Sequence, residues 1–72
     1  MQKQDLIDIA NTMMPFGKYK GRVLIDLPEE YLLWFAHKSE FPQGRLGYLM
    51  QMTLTVKEEG LDNLVRPLKR SS

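Results

Sequence analysis

The sequence predicts a small single α+β domain: an N-terminal helix, a short β-hairpin, then two to three packed helices. Three observations carry that class. Leu6, Ile9, Ala10 and Met13 recur at helical spacing, with Asp5, Asp8 and Asn11 on the other side. Two short apolar stretches flank a glycine-bounded segment, residues 17–21, in the manner of a hairpin. Pro28, Glu29 and Glu30 then open a strongly apolar run, as the start of a helix does.

The first helix is expected over residues 4–12, ended by Pro15, because the residue before a proline is pushed out of the helical region. In the hairpin, Tyr19-Lys20-Gly21 suits a turn with Gly21 in the left-handed conformation. So short a ribbon needs a helix packed on it. The second helix carries Tyr31, Leu32, Leu33, Trp34, Phe35 and Ala36, apolar nearly all round, and is expected at the centre of the core. A third helix is expected over residues 45–59, with Leu46, Leu49, Met50, Thr53 and Leu54 on one face and Gly60 as its stop. A last short helix over residues 62–66 is expected to end at Pro67, leaving residues 69–72 frayed.

Seventy-two residues support one core, hence one domain over residues 1–72. A chain of this length buries roughly 60% of its unfolded surface, so its stability is modest. The hydrophobic content of 43% is that of a folded chain. No cysteine is present, which removes a disulfide framework, a thiolate metal site and a cysteine nucleophile. No apolar run approaches the roughly 18 residues of a membrane span. Asp5 and Asp8 interrupt the start, which lacks the order of a secretory signal. A cytoplasmic protein with no membrane partner is the expectation.

Catalysis finds little support. His37 is the only histidine and sits where a helix end explains it. Glu29 and Glu30, like Glu58 and Glu59, are adjacent and diverge by about 100° on a helix. Asp5 and Asp8 share a face, a common arrangement on solvated helices. No convergent ligand set for a metal is visible, and no cofactor is implied. The expectation is a protein that binds and does not catalyse.

The net charge of +1 is no general nucleic-acid footprint, but its distribution is uneven. Lys18, Lys20 and Arg22 lie between Asp8 and Asp26 with no acid among them, and Arg66, Lys69 and Arg70 follow Asp62. The first cluster alternates with an aromatic and glycines. Backbone N–H groups and cations at such a turn can hold phosphate, and Tyr19 can offer a ring to a base. Two readings stand at this point. One is a nucleic-acid contact through Lys18, Tyr19, Lys20 and Arg22. The other is structural: the glycines make the turn, Phe16 fills the core and the lysines solvate an exposed tip. The spacing is not that of a nucleotide-hydrolase phosphate loop, since the glycines lie too close together and Arg22 follows the second. Trp34, Phe35 and the methionines Met13, Met14, Met50 and Met52 are expected in the core, with any exposed remainder available to a protein partner or a second copy.

The string Met14-Pro15-Phe16-Gly17-Lys18-Tyr19-Lys20-Gly21-Arg22, followed by Leu24, Asp26-Leu27-Pro28, Tyr31-Leu32 and Trp34-Phe35, resembles the bacterial quorum-sensing-regulated virulence factor family, once a domain of unknown function. It is also similar to the C-terminal domain of exodeoxyribonuclease-X-like proteins, where such a module follows a DnaQ-type exonuclease. The likeness covers residues 13–35, with Pro15, Phe16, Gly17, Gly21, Pro28 and Trp34 as its structural positions. It implies a compact α+β fold and an association with DNA processing. It brings no catalysis, because the exonuclease's acidic metal-binding motifs belong to the other domain.

Overall fold

Helical propensity decides almost every element of this chain. The computed structural model describes residues 2–70. Helix α1 (Lys3–Asn11) buries Ile9 and Ala10 and lays Leu6 against the core, as the apolar spacing requires. The Asp5 carboxylate accepts the Gln2 backbone N–H at 3.3 Å, which occupies one of the free donors at the helix start. The chain is already extended at Thr12. That places Met13 outside the helix and 60% exposed, while Met14, its neighbour on the alternating extended chain, is buried.

The expected β-hairpin is not formed, and the fold is all-α among the described residues. The chain does turn back antiparallel there, but it pairs at a single bridge, Met13 with Val23. The Leu24 N–H donates to Thr12 O at 3.0 Å and the Met14 N–H to Arg22 O at 2.8 Å. Beyond these bonds the ladder stops for local reasons. Gly17 and Gly21 both take positive φ, 79° and 89°, so the chain coils through successive turns instead of extending. Those turns close by Lys20 N–H to Gly17 O and Arg22 N–H to Tyr19 O, and the Gly21 N–H takes Met14 O. Pro15 has no N–H to add to a ladder. On the other side, residues Leu24–Asp26 wind into a 3-10 turn. Gly21 therefore has the expected left-handed conformation, in a turn without strands.

Helix α2 (Glu29–Lys38) starts from Pro28, which stands at the N-cap with its carbonyl accepting from Tyr31 and Leu32. It ends at Ser39 in the left-handed region (φ 54°), where Ser39 N–H meets Ala36 O and Glu40 N–H meets Phe35 O. Glycine is the residue suited to that position. Ser39 is exposed. Ser39→Gly is accordingly expected to stabilise the protein by about 0.5–1 kcal/mol, read as a higher urea midpoint at unchanged slope.

The centre of the core is α3 (Gly44–Glu58), not α2. It packs against α1, α2 and the 3-10 turn, burying Leu49, Met50, Thr53, Leu54 and Val56. The Thr53 hydroxyl donates to Leu49 O at 2.7 Å, so its burial leaves no unpaired polar atom. Helix α2 buries fully only Leu32 and Phe35. Among the described residues no element covers its outer face, and Trp34 is left 49% exposed. Gly60 ends α3 as expected, donating to Lys57 O, with Leu61 N–H reaching back to Val56 O.

Helix α4 (Asp62–Val65) runs straight into a second 3-10 turn, Arg66–Leu68. Pro67 lies within that turn's first residues, where its missing N–H costs nothing, so it does not stop the chain as expected. Asn11 ties this C-terminal segment to α1. Its amide donates to Ile7 O and Leu68 O, and its oxygen accepts the Arg70 N–H at 2.7 Å. Arg66 and Lys69 both bind the Asp26 carboxylate, Lys69 at 2.6 Å. Of the residues expected to fray, Lys69 and Arg70 are thus hydrogen-bonded, and 71–72 lie outside the described residues.

Candidate functional site

The turn after Phe16 is held from below by aromatic packing. Tyr19 is half-buried and sets its ring edge-on to Tyr31, with centroids 4.8 Å apart. Tyr31 meets Phe35 at 5.1 Å, and Phe35 meets Trp34 at 5.1 Å and Phe41 at 5.9 Å. Burial pushes the Tyr31 hydroxyl above its ordinary pKa, so it stays protonated at neutral pH. A side chain at Gly17 would come within 2.9 Å of that hydroxyl, which is why the turn approaches α2 so closely there.

Lys18, Lys20 and Arg22 are all exposed, and none has a carboxylate within ion-pair distance among the described residues. Arg45, Lys57, Arg66 and Lys69 are each paired with an aspartate. The basic tail that looked equivalent to the turn in sequence is therefore largely neutralised by Asp26 and Asp62. The turn is not. Arg22 places its guanidinium 4.9 Å from the Tyr19 centroid, and Lys18 its ammonium at 5.5 Å. The structure thus brings two of the expected site residues, Lys18 and Arg22, together around a third, Tyr19. It also engages that ring with two cations and with Tyr31, so the more exposed aromatic surface beside the turn is supplied by other residues.

Those residues are Trp34, which the apolar run of the second helix put in the core, and Phe16, which the structural reading of the turn put there. Phe16 is 42% exposed and Trp34 49% exposed, and both line a groove of about 640 Å³ between the turn and α2. Lys18 stands in the same lining, with Tyr31 below and Glu30 and Glu40 opposite in charge. Neither glutamate has a cationic partner among the described residues. A second hollow, about 480 Å³, includes Arg22, Met13 and Arg70, together with the Asp26–Lys69 pair.

A different polar cluster joins α1 to α3. The Arg45 guanidinium lies 2.8 Å from both Asp5 and Asp8, and the Tyr48 hydroxyl donates to Asp5 at 2.6 Å. Nothing in the i, i+3 spacing of the two aspartates disclosed this role, because their partner is about 40 residues away. The Tyr48 hydrogen bond, foremost, and the Arg45 contact hold the Asp5 carboxyl below its ordinary pKa. Hydrogen bonds from Arg45 and Gln4 do the same for Asp8. At Asp26 partial burial opposes ionisation, but the bonds from Lys69 and Arg66 outweigh it and the pKa is again lowered. Each carboxyl thus favours the folded state fully above the unfolded value of about 3.9, and loses that contribution as pH falls through its lowered folded value. Thermal stability is expected to hold from neutral pH to about pH 5 and to fall steeply below about pH 4. Asp5→Asn should flatten that acid limb, as followed by circular dichroism.

Among the described residues, no group of three or more histidine, cysteine, aspartate or glutamate side chains converges as a metal site would require, and no helix is long and apolar enough to cross a membrane. Residues 2–68 match the family described as "Putative quorum-sensing-regulated virulence factor", and the chain belongs to that family. It is 74% identical over 70 residues to the "Uncharacterized protein YpeB" of Escherichia coli strain K12, covering 97% of each chain. The same description and identity hold for the protein from Escherichia coli O157:H7. No solved structure matches. The resemblance of residues 13–35 to the virulence factor family is borne out, the likeness to exodeoxyribonuclease-X-like proteins is not shown by these matches, and the α+β fold expected with it is replaced by an all-α one.

Proposed function

We propose that this protein is a non-catalytic accessory module of the bacterial cytoplasm that binds DNA, single-stranded or at an end, through the turn at residues 17–22. One observation carries the proposal: Lys18, Lys20 and Arg22 are exposed at one place with no carboxylate partner among the described residues, whereas Arg66 and Lys69 of the other basic cluster are matched by aspartates. Cations left without carboxylates beside exposed aromatic side chains are what a single-stranded polyanion requires. The choice of DNA as the polyanion, in a regulatory or virulence-linked setting, rests on the sequence resemblance read in residues 13–35 to the C-terminal domain of exodeoxyribonuclease-X-like proteins, a likeness that the family match and the two relatives do not themselves carry. Fluorescence anisotropy with labelled single-stranded and duplex oligonucleotides tests it. Tighter binding of the single strand, weakening with salt at a log–log slope of about −2 to −3, is the expected result. Absence of binding at low salt would reject it.

A second reading, a protein-interaction or homodimer module, draws on the exposed Trp34, Phe16 and Tyr48. Light scattering after size exclusion separates the two. A dimer that forms with concentration and ignores salt would favour the interaction module.

A further inference from the structure

We propose that the groove between the turn and α2 is a nucleobase pocket selective for bases that carry an exocyclic amino group, such as cytosine and adenine, over thymine, which has none. The proposal rests on the nucleic-acid reading above and assigns what lies beyond the phosphates.

Three chemistries that a nucleotide can use meet in the lining of that groove. Lys18 stands in its lining as a phosphate partner. Phe16 and Trp34 supply aromatic surface, exposed by 42% and 49% where core residues would be covered. Base–aromatic stacking accepts every base and so gives affinity without selection. Glu30 and Glu40 complete the lining, and neither is engaged by a cation among the described residues. A carboxylate only accepts hydrogen bonds. It therefore repels a phosphate on that side and attracts donors. The amino groups of cytosine and adenine are such donors, while thymine offers one ring N–H flanked by two carbonyl oxygens. The charge pattern sets a direction: phosphate towards Lys18, ring against Trp34 and Phe16, amino edge towards the glutamates. Tyr19, already engaged by Arg22, Lys18 and Tyr31, is the support of the turn and not the stacking surface.

The same base chemistry could arrive in a strand or as a free nucleotide, and Trp34 distinguishes them, being the only tryptophan in the chain. Its fluorescence is followed in the full-length protein during titration with oligo(dC), oligo(dA), oligo(dT), dCMP and a base-free phosphodiester oligomer. The expected result is quenching by oligo(dC) and oligo(dA), with binding about fivefold or more tighter than oligo(dT). The base-free oligomer should bind without quenching. In Glu30→Ala/Glu40→Ala, which removes the acceptors, the preference should disappear while the salt slope stays unchanged. Quenching by dCMP at the concentrations effective for oligo(dC) would assign the pocket to free nucleotides, and quenching by the oligomer alone to a strand. Salt-sensitive binding by anisotropy with no change at Trp34 would overturn the pocket and leave phosphate binding by the turn intact. Equal quenching by oligo(dC) and oligo(dT) would overturn the amino-group selectivity. No binding of any probe would overturn both readings.

Discussion

Gly47→Ala is expected to destabilise the fold by about 3 kcal/mol, read as a large fall in the urea midpoint. Gly47 is buried near the start of α3, and the chain entering that helix folds over its own first turn. A β-carbon there would lie 1.7 Å from the Pro42 carbonyl oxygen and 2.8 Å from its carbon. Both are backbone atoms, so no side-chain rotation relieves the clash and the entry segment must move. That segment carries Phe41, which stacks on Phe35 beneath the aromatic groove. The substitution should therefore loosen the groove as well as the fold, with Trp34 fluorescence reporting the change. Gly44→Ala is the control. Its β-carbon meets open space, and only the positive φ of 80° is penalised, at about 1–2 kcal/mol. Equal midpoints for the two variants would show that the Pro42 carbonyl does not rest on Gly47.

The second large effect concerns binding. Lys18→Ala/Lys20→Ala/Arg22→Ala is expected to abolish measurable oligonucleotide binding at physiological salt, and to bring the log–log salt slope at low salt close to zero. The fold should be little changed, since the ammonium and guanidinium groups make no ion pair among the described residues and their loss removes the cation contacts at 5.5 and 4.9 Å from the Tyr19 ring. Such contacts contribute about 0.5–1 kcal/mol each at exposed sites. An unfolded triple variant would contradict that separation of binding from stability. The comparison variant is Arg66→Ala/Lys69→Ala, whose cations are already paired with Asp26. It should bind almost normally and be less stable.

What was legible in the sequence was local. Pro28 with two glutamates placed the start of α2, Gly60 placed the end of α3, and the 3.6-residue spacing placed α1 within a residue of its observed bounds. The hairpin was overread because two apolar stretches around a glycine turn satisfy either a ladder or a single bridge. Deciding between them takes the positive φ values at Gly17 and Gly21 and the 3-10 turn at Leu24–Asp26, neither of which apolar spacing displays. The exposure of Trp34 was hidden for a related reason. A helix apolar on nearly every side gives no phase, so which side lacks a partner is settled only when α3 takes the centre.

The candidate site divides in the same way. Lys18, Lys20 and Arg22 were visible as a basic run without an acid. Their distinction from Arg66 and Lys69 was not, because Asp26 lies about 40 residues from those partners in the chain. The groove was invisible altogether. It joins Lys18 of the turn to Glu30 and Trp34 of α2 and to Glu40 beyond it, residues that no sequence window shows as one surface.

The most direct test of the central claim is the amide NMR spectrum of the labelled protein during titration with a single-stranded oligonucleotide, at low and at physiological salt. Binding through the turn is expected to shift the amides of residues 17–22 and the Trp34 indole N–H, and to weaken as salt rises. Shifts confined to α1 and α4, or an unchanged spectrum at low salt, would contradict it.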